Sequence, residues 1–325
     1  MLKFLRAAFA VVAACALLPL DVTAQAYPSK PIKMIVAYGP GSGADIVGRI
    51  LAERLSQQMG VAVLVENRDG AGGSIGSTQA AKSAADGYTI LMAPTTLTVS
   101  PALQATPTYD PVKDFTPVTR VAVQAMTIIT SLDAPYNNLK ELMAYAKANP
   151  GKLSYGTSGK GSPSHLEMEM IKQLKGLQME DVPYKSFGSA ISDTISGQVS
   201  FYFPTFPAAL PHIKGGKVKA LAVGSAERVP QAPQIPTIAE ELGIPGYEVS
   251  VWYGVVAPVG VSREIVNRLH AEIAKALQDP AVREKISNTG AVVSMAPPDQ
   301  FAAQIRSETA KWGKLVKELN LKATQ

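Results

Sequence analysis

Three stretches of this chain place free backbone amides where an anion could be held. In each, a short apolar run enters a Gly/Ser-rich loop and a helix starts straight afterwards. The first is Ile32–Tyr38 followed by Gly39-Pro40-Gly41-Ser42-Gly43-Ala44-Asp45. The second is Val61–Val65 followed by Asp69-Gly70-Ala71-Gly72-Gly73-Ser74-Ile75-Gly76. The third is Leu153–Tyr155 followed by Gly156-Thr157-Ser158-Gly159-Lys160-Gly161-Ser162. The first amides of a helix have no intrahelical acceptor and sit at the positive end of its dipole, which suits a carboxylate or phosphate. Glycine lets the ligand come close to the backbone. Three such junctions predict a small anion gripped from several sides. A side chain at Gly43 is expected to block that approach and leave the fold intact.

Several other chemistries fail on spacing. Gly41-x-Gly43 follows a strand, and Glu66 stands where a ribose-binding acid would be. The third glycine of a dinucleotide fingerprint would fall at position 46, which is Ile46. Lys160-Gly161-Ser162 lacks the spacing of a phosphate-binding loop, so nucleotide hydrolysis is excluded. Ser162 reads as a helix N-cap, with Pro163 at the first helical position; Thr157 and Ser158 are freer to face a ligand. His165, His212 and His270 are the only histidines, and no His/Asp/Glu set has metal-ligand spacing. Ser158 and His165 could pair for nucleophilic catalysis, but Lys160 occupies the last glycine position of a nucleophile elbow. His165 is then a ligand or loop-orienting group, or else a surface or helix-cap residue. No cofactor is implied.

The elements that position these loops follow from periodicity. Helix Asp45–Met59 carries Ile46, Ile50, Leu51 and Leu55 at helical spacing, Ile75–Ala85 reads as a second helix, and Tyr88–Met92 is a strand ending at Ala93-Pro94-Thr95-Thr96. This βαβαβ order predicts a parallel sheet with helices on both faces and ligand at the carboxyl ends of its strands. Thr106–Thr119 reads as loop and Val121–Thr130 as an extended crossover. A second series follows: helix Leu139–Ala148, strand Leu153–Tyr155, helix Pro163–Leu174, strand Asp181–Tyr184, helix Phe187–Ser196, and strands Val199–Phe203 and Lys217–Val223. Four prolines mark Arg228–Glu248 as irregular. Val251–Ala257 is a second crossover, and helices Ser262–Gln278, Pro280–Thr289 and Pro298–Leu319 close the chain. Lys311, Lys314 and Lys317 form one stripe of the last helix, expected to be solvated. Tyr38, Tyr184, Phe187 and Phe203 lie at or near strand ends and either wall an apolar part of the ligand or pack in the core. Two crossovers around a middle α/β unit predict two lobes able to hinge over a cleft.

Composition bounds the setting. Lys3 and Arg6, the apolar run Ala7–Leu20 and the small-x-small Ala24-Gln25-Ala26 read as a secretory signal peptide over 1–26, cleaved near Ala26. A lipid tether at Cys15 is the poorer reading, because the apolar run continues to a better cleavage site. Cys15 is the sole cysteine, so the 299 residues that would remain of 325 hold no disulfide. Removing Lys3, Arg6 and Asp21 takes the net charge from +5 to +4, with the basic residues scattered, which argues against nucleic acid. A bacterial periplasmic protein fits these features.

The ordered segments Tyr27-Pro28-Ser29-Lys30-Pro31-Ile32, Gly41-Ser42-Gly43-Ala44-Asp45, Val65-Glu66-Asn67-Arg68, Gly70-Ala71-Gly72-Gly73-Ser74-Ile75-Gly76, Asp86-Gly87-Tyr88-Thr89, Tyr155-Gly156-Thr157-Ser158-Gly159, His165-Leu166, Val182-Pro183-Tyr184-Lys185 and Trp252-Tyr253-Gly254 resemble the periplasmic receptors of tripartite tricarboxylate transporters, the Bug family. The resemblance spans essentially the whole mature chain. It implies an α/β type II periplasmic-binding-protein fold with two α/β lobes joined by two crossover strands. Lobe 1 is 27–124 plus 251–325, and lobe 2 is 125–250. It implies a monomeric receptor that captures a small organic carboxylate and delivers it to membrane permease subunits. In the family the first two loops hold a carboxylate through backbone amides and water. That carries over to Tyr38, Gly41, Ser42, Gly43, Ala44, Asp45, Gly73 and Ser74, with Thr95 at the third strand end. The second lobe would offer Thr157, Ser158, Gly159, Ser162, His165, Tyr184, Lys185, Phe187, Phe203 and Thr205. Two departures matter. The family's first loop usually reads Pro-Pro-Gly-Gly-Gly with a hydroxyl before the aspartate, and here the hydroxyl moves to Ser42. Many relatives carry an aspartate near the end of the strand matching Val199–Phe203, where this chain has Phe203-Pro204-Thr205. Without that partner for an ammonium, an aromatic or uncharged-tail acid is favoured over an amino acid. The alternative from another class is an exported α/β enzyme with His165 as base; a signalling co-receptor would use the same fold.

Overall fold

The computed structural model describes residues 27–157, 159, 162–184 and 187–318. The leader expected over 1–26, with Cys15, and the candidates Ser158 and Lys185 lie outside the described residues. β1 (Ile32–Val36), α1 (Gly43–Met59), β2 (Val63–Asn67), α2 (Ser74–Ala81) and β3 (Thr89–Pro94) form the predicted βαβαβ unit. β1 pairs in parallel with β2 on one side and β3 on the other. Alternation along the strand assigns the two helices to opposite faces. Met34 and Val36 pack with Val47, Leu51 and Leu55 of α1, whereas Ile35 and Ala37 pack with Ala80 of α2. The chain therefore reverses direction across β1, and that reversal leaves a crevice at the strand's carboxyl end.

The next helix, α3 (Thr96–Leu103), was not expected. Its two threonines and Pro101 oppose a helix by propensity, but burial of Leu97 and Val99 outweighs this. The predicted loop Thr106–Thr119 ends early, because Phe115 and Val118 are buried in β4 (Phe115–Ala125). The predicted crossover Val121–Thr130 is two strands broken at Met126: β4, and β5 (Thr127–Thr130). A second α/β series follows: α4 (Leu139–Ala148), β6 (Ser154–Thr157), α5 (Pro163–Lys175), β7 (Glu180–Pro183), α6 (Phe187–Ile195), β8 (Phe201–Tyr202), α7 (Phe206–Lys214) and β9 (Lys219–Val223). α7 was missed because Pro207 and Pro211 read as breakers; Pro207 falls in the first turn, where no N–H is required of it. The proline-rich return contains one short helix, α8 (Ile238–Leu242). The chain ends with β10 (Ser250–Pro258), α9 (Arg263–Gln278), α10 (Pro280–Asn288), the unpredicted edge strand β11 (Ala291–Ala296) and α11 (Pro298–Glu318).

The first sheet has the order β11-β4-β10-β3-β1-β2, and the second β7-β6-β8-β5-β9. β6 stands to β7 and β8 as β1 stands to β2 and β3: parallel to both. In each sheet the third parallel strand is then flanked by an antiparallel one, β10 or β5. The second α/β unit thus repeats the strand arrangement of the first.

Two backbone hydrogen bonds fasten the passages between the sheets. Gly224 donates its N–H to Met126 O at 2.8 Å and accepts from Val249 N–H at 2.6 Å. α11 adds a contact that the two-crossover picture lacked. Its first half, through Phe301 and Ile305, packs on Trp252 of the first sheet. Its second half, through Trp312, Leu315 and Val316, packs on Leu166 of α5 and Val99 of α3. The lysine stripe is accordingly not wholly solvated. The Lys311 ammonium lies 3.8 Å from Glu167 of α5 and 4.4 Å from the centre of the Trp312 ring.

Candidate functional site

The first loop is built around a buried acid. Gly41 takes φ +81°, which glycine tolerates without strain, and its N–H donates to Asp45 Oδ2 at 2.9 Å. Ser42 caps α1, accepting from the Asp45 N–H at 3.2 Å. Asp45 Oδ1 accepts from Arg49 Nε at 2.9 Å and from Asn67 Nδ2 at 2.8 Å, and the same Asn67 amide donates to Tyr38 O. Burial alone would raise the Asp45 pKa, but the hydrogen bonds from Arg49, Gly41 and Asn67 and the Arg49 charge hold it below the usual carboxylate range. Asp45 is therefore a scaffold residue whose oxygens are spent inside the protein. Among the described residues the amides of Gly43 and Ala44 have no hydrogen-bond partner, and they sit at the positive end of α1.

The second loop and the end of β3 close on the first. Gly70, Ala71, Gly72 and Gly73 all have positive φ, so the chain curls tightly before α2. A Cβ on Gly73 would lie 3.3 Å from Thr96 Oγ1 and 3.4 Å from Ala37 Cβ. The Tyr38 hydroxyl is 2.9 Å from the same Thr96 Oγ1. Tyr38, Gly73 and Thr96 thus bring the ends of β1, β2 and β3 together. Burial, with the Asp69 charge adding to it against the Thr96 hydrogen bond, raises the Tyr38 pKa and keeps the phenol a neutral donor. Two other candidates are committed elsewhere: the Ser74 hydroxyl accepts from Gln104 Nε2 at 2.6 Å, and the Thr95 hydroxyl accepts from the Trp252 N–H at 2.7 Å. The expectation for Gly43 needs correcting. A Cβ there would overlap the Tyr253 hydroxyl, itself bonded to Gln124 Oε1 at 2.7 Å, so a side chain would disturb the protein before it met a ligand.

The remaining candidates lie on or beside the second sheet. Thr157 accepts from the Gly159 N–H at 3.2 Å, and Ser162 caps α5, accepting from the His165 N–H at 3.3 Å. His165 is buried, not a surface residue, and its Nε2 lies 4.0 Å from Asp181 on β7. The Tyr184 hydroxyl donates to Asp193 at 2.8 Å; burial, then that hydrogen bond and the Asp193 charge, push its pKa up to about 12. Phe187, at the start of α6, is 48% exposed. Phe203 is a correction: it has no exposed surface and packs with Met126, Tyr155 and Phe201, which makes it core and not a ligand wall. Thr205 opens α7 beside the crossover, bridged to Met126, with its hydroxyl making no cap bond.

Sequence reasoning missed Arg49, Asn67, Thr96, Gln124 and Tyr253. Arg49 was legible as the i+4 partner of Asp45. The others act across long sequence separations that spacing does not reveal. No group of three His, Asp or Glu side chains able to hold a metal occurs among the described residues. No described helix is long and apolar enough to cross a membrane.

Residues 47–321 match the family described as tripartite tricarboxylate transporter family receptor. The protein BugT of Bordetella pertussis is 37% identical over 303 residues, covering 93% of this chain and 93% of its own length. The solved structure of the periplasmic binding protein BugD is 36% identical, covers 92% of this chain and all of its own, and superposes with a TM-score of 0.78. R. palustris Rpa4515, solved with adipate, is 32% identical with a TM-score of 0.79, over 90% of this chain and 97% of its own.

Proposed function

The chain belongs to the tripartite tricarboxylate transporter receptor family, and from that footing we propose how it captures its solute. It is a solute-binding receptor for a small organic carboxylate, of the periplasmic binding-protein type. We propose two lobes, 27–124 with 251–325 and 125–250, closing on the ligand, with each sheet lying in one of them. The observation that carries the site is the pair of unpartnered amides at Gly43 and Ala44, backed by a loop acid already neutralised. One carboxylate end of the solute accepts from them, and the Tyr38 phenol and Thr96 hydroxyl stand beside it. Charge-assisted hydrogen bonds contribute about 1.5–3 kcal/mol each. A helix N-terminus adds roughly 0.3–1 kcal/mol, or about 2 in favourable cases. Micromolar affinity needs about 8 kcal/mol. Three or four such bonds reach that range without an arginine clamp.

The far end of the solute meets the second wall, where Phe187 offers an apolar ring and Phe203-Pro204-Thr205 offers no carboxylate for an ammonium. The ligand class is therefore an aliphatic or aromatic acid with an uncharged middle or tail, in keeping with the adipate of the R. palustris relative. Cleavage of a leader over 1–26 would release the receptor into the periplasm as a monomer that docks on the permease subunits of a tripartite transporter.

A thermal-shift series with adipate, benzoate, butyrate, aspartate and glutamate tests this class. At about 100 times its Kd a ligand adds roughly 2.7 kcal/mol, enough to raise Tm by several degrees. We expect that rise with at least one of the first three and none with the amino acids. Stabilisation by aspartate or glutamate alone would reverse the assignment. Phe187→Ser should weaken the best ligand about tenfold, the scale of a few lost methylene contacts.

A further inference from the structure

Glu167 is a carboxylate that the binding site does not use. It lies on α5, one turn beyond the Ser162 cap, and is buried. Its neighbours come from α11 and from the return segment before β10. Lys311 Nζ of α11 stands 3.8 Å from Oε1, and the Tyr247 hydroxyl of the return segment donates to Oε2 at 3.4 Å. Glu308, also on α11, acts on it through space and itself accepts from Trp252 Nε1 at 2.7 Å and Thr98 Oγ1 at 3.2 Å. On its own helix, His165 faces Asp181, and Glu169 accepts from Tyr155. Around this cluster lies the apolar seam in which Leu166 meets Trp312, Leu315 and Val316.

We infer that Glu167 is a positioning residue whose protonation sets how firmly the second lobe is held against α11, so that the receptor's lobes are coupled to pH. The inference rests on the two-lobe reading given above. A buried carboxylate whose one cationic neighbour among the described residues, Lys311, is half exposed and which feels a second carboxylate is poorly compensated as an anion. Burial and, in smaller part, Glu308 push its pKa up to about 7 against the pull of Lys311 and Tyr247. When the seam opens, water reaches the group and its pKa returns towards the ordinary 4.5. The sign follows from linkage. The packed seam binds the proton more tightly, so packing is fully favoured below about pH 4.5 and loses that advantage as pH rises through about 7. α5 carries the loop Thr157–Ser162 at its N-terminus, so the same equilibrium moves the second wall of the cleft.

The test needs no ligand, which keeps its failure separate from failure of the carboxylate reading. Tm and tryptophan emission are measured from pH 5.5 to 8.5; Trp252 and Trp312 both touch the cluster. For the wild-type protein we expect Tm to fall by about 3 °C or more across this range, with emission changing at the same midpoint. Glu167→Gln, neutral at every pH, should flatten both profiles and melt above wild type at pH 8.5. A Glu167→Gln profile that parallels wild type, or a uniform loss of Tm at all pH values, would overturn the inference. Should that variant not fold, Lys311→Met provides the second reading, because its half-exposed side chain can be replaced without opening the core. Loss of the cation should move the midpoint to higher pH, and an unmoved midpoint would also overturn the inference.

Discussion

Replacing Asp45 with alanine should weaken carboxylate capture at least a hundredfold and lower stability by about 2–3 kcal/mol. Three donors lose their acceptor at once: the Gly41 N–H, Arg49 Nε and Asn67 Nδ2. A donor left unsatisfied in a buried place costs about 1–3 kcal/mol, and part of this is recovered because Arg49 is half exposed and can hydrate. The larger effect falls on binding. The Gly41–Asp45 bond fixes the tight turn that precedes the Gly43 and Ala44 amides, and the Asn67 amide ties Tyr38 to the same carboxylate. A loop free to relax forfeits the preorganisation on which backbone capture depends. Calorimetric titration should show at least a hundredfold loss of affinity. An unchanged Kd would remove the first loop from the site. The stability loss should also depend on pH. The Asp45 pKa is held below its ordinary value of 3.8, so its contribution is present above about pH 4 and disappears as pH falls through the lowered value. Urea denaturation of wild type and variant should differ at pH 7 and converge in acid.

Gly224→Val should cost about 3–5 kcal/mol. The missing Cβ there would overlap the Val249 carbonyl oxygen and come within 3.0 Å of Val249 Cβ. The obstacle is backbone, so no rotamer change relieves it. Overpacking costs roughly 1–3 kcal/mol, and the two backbone hydrogen bonds through Gly224 contribute about 0.5–1.5 kcal/mol each. Gly188→Ala is the control, since nothing lies within 4 Å of its virtual Cβ and its φ is ordinary. Thermal melts of the two variants should separate widely. Similar midpoints would show that the passage between the sheets tolerates rearrangement.

The parts of the fold that could be read from residues alone were those in which local signals agreed. α4 matches its expected bounds because Asn138 caps it and its apolar residues keep one face. α1 begins two residues before its expected start at Asp45 because Ser42 caps it. α3 and α7 were hidden by threonine and proline, whose local penalties are outweighed by burial against partners distant in sequence. β11 is an edge strand with Val292 and Met295 turned to solvent, so it carries little alternation to detect. Glycine marked all three candidate junctions. It did not mark why each glycine is needed: Gly73 makes room for Thr96, whereas Gly43 makes room for Tyr253. Phe203 was misjudged because an aromatic at a strand end looks the same in sequence whether it faces a cleft or a core.

The pairing of β4 with β10 has one more consequence. Ala125 sits opposite Ser250, yet roughly 125 residues separate them, and that stretch contains the whole second sheet. Closing an unstructured loop of that length costs about 4 kcal/mol in chain entropy. The second sheet draws all its strands from within the stretch, so it can form while the first sheet is still incomplete. Once formed, it holds the two ends of the stretch together through Met126, Gly224 and Val249. The connectivity thus predicts an order of assembly in which the unit between β4 and β10 folds early and the interrupted sheet is completed last, when β10 arrives between β3 and β4.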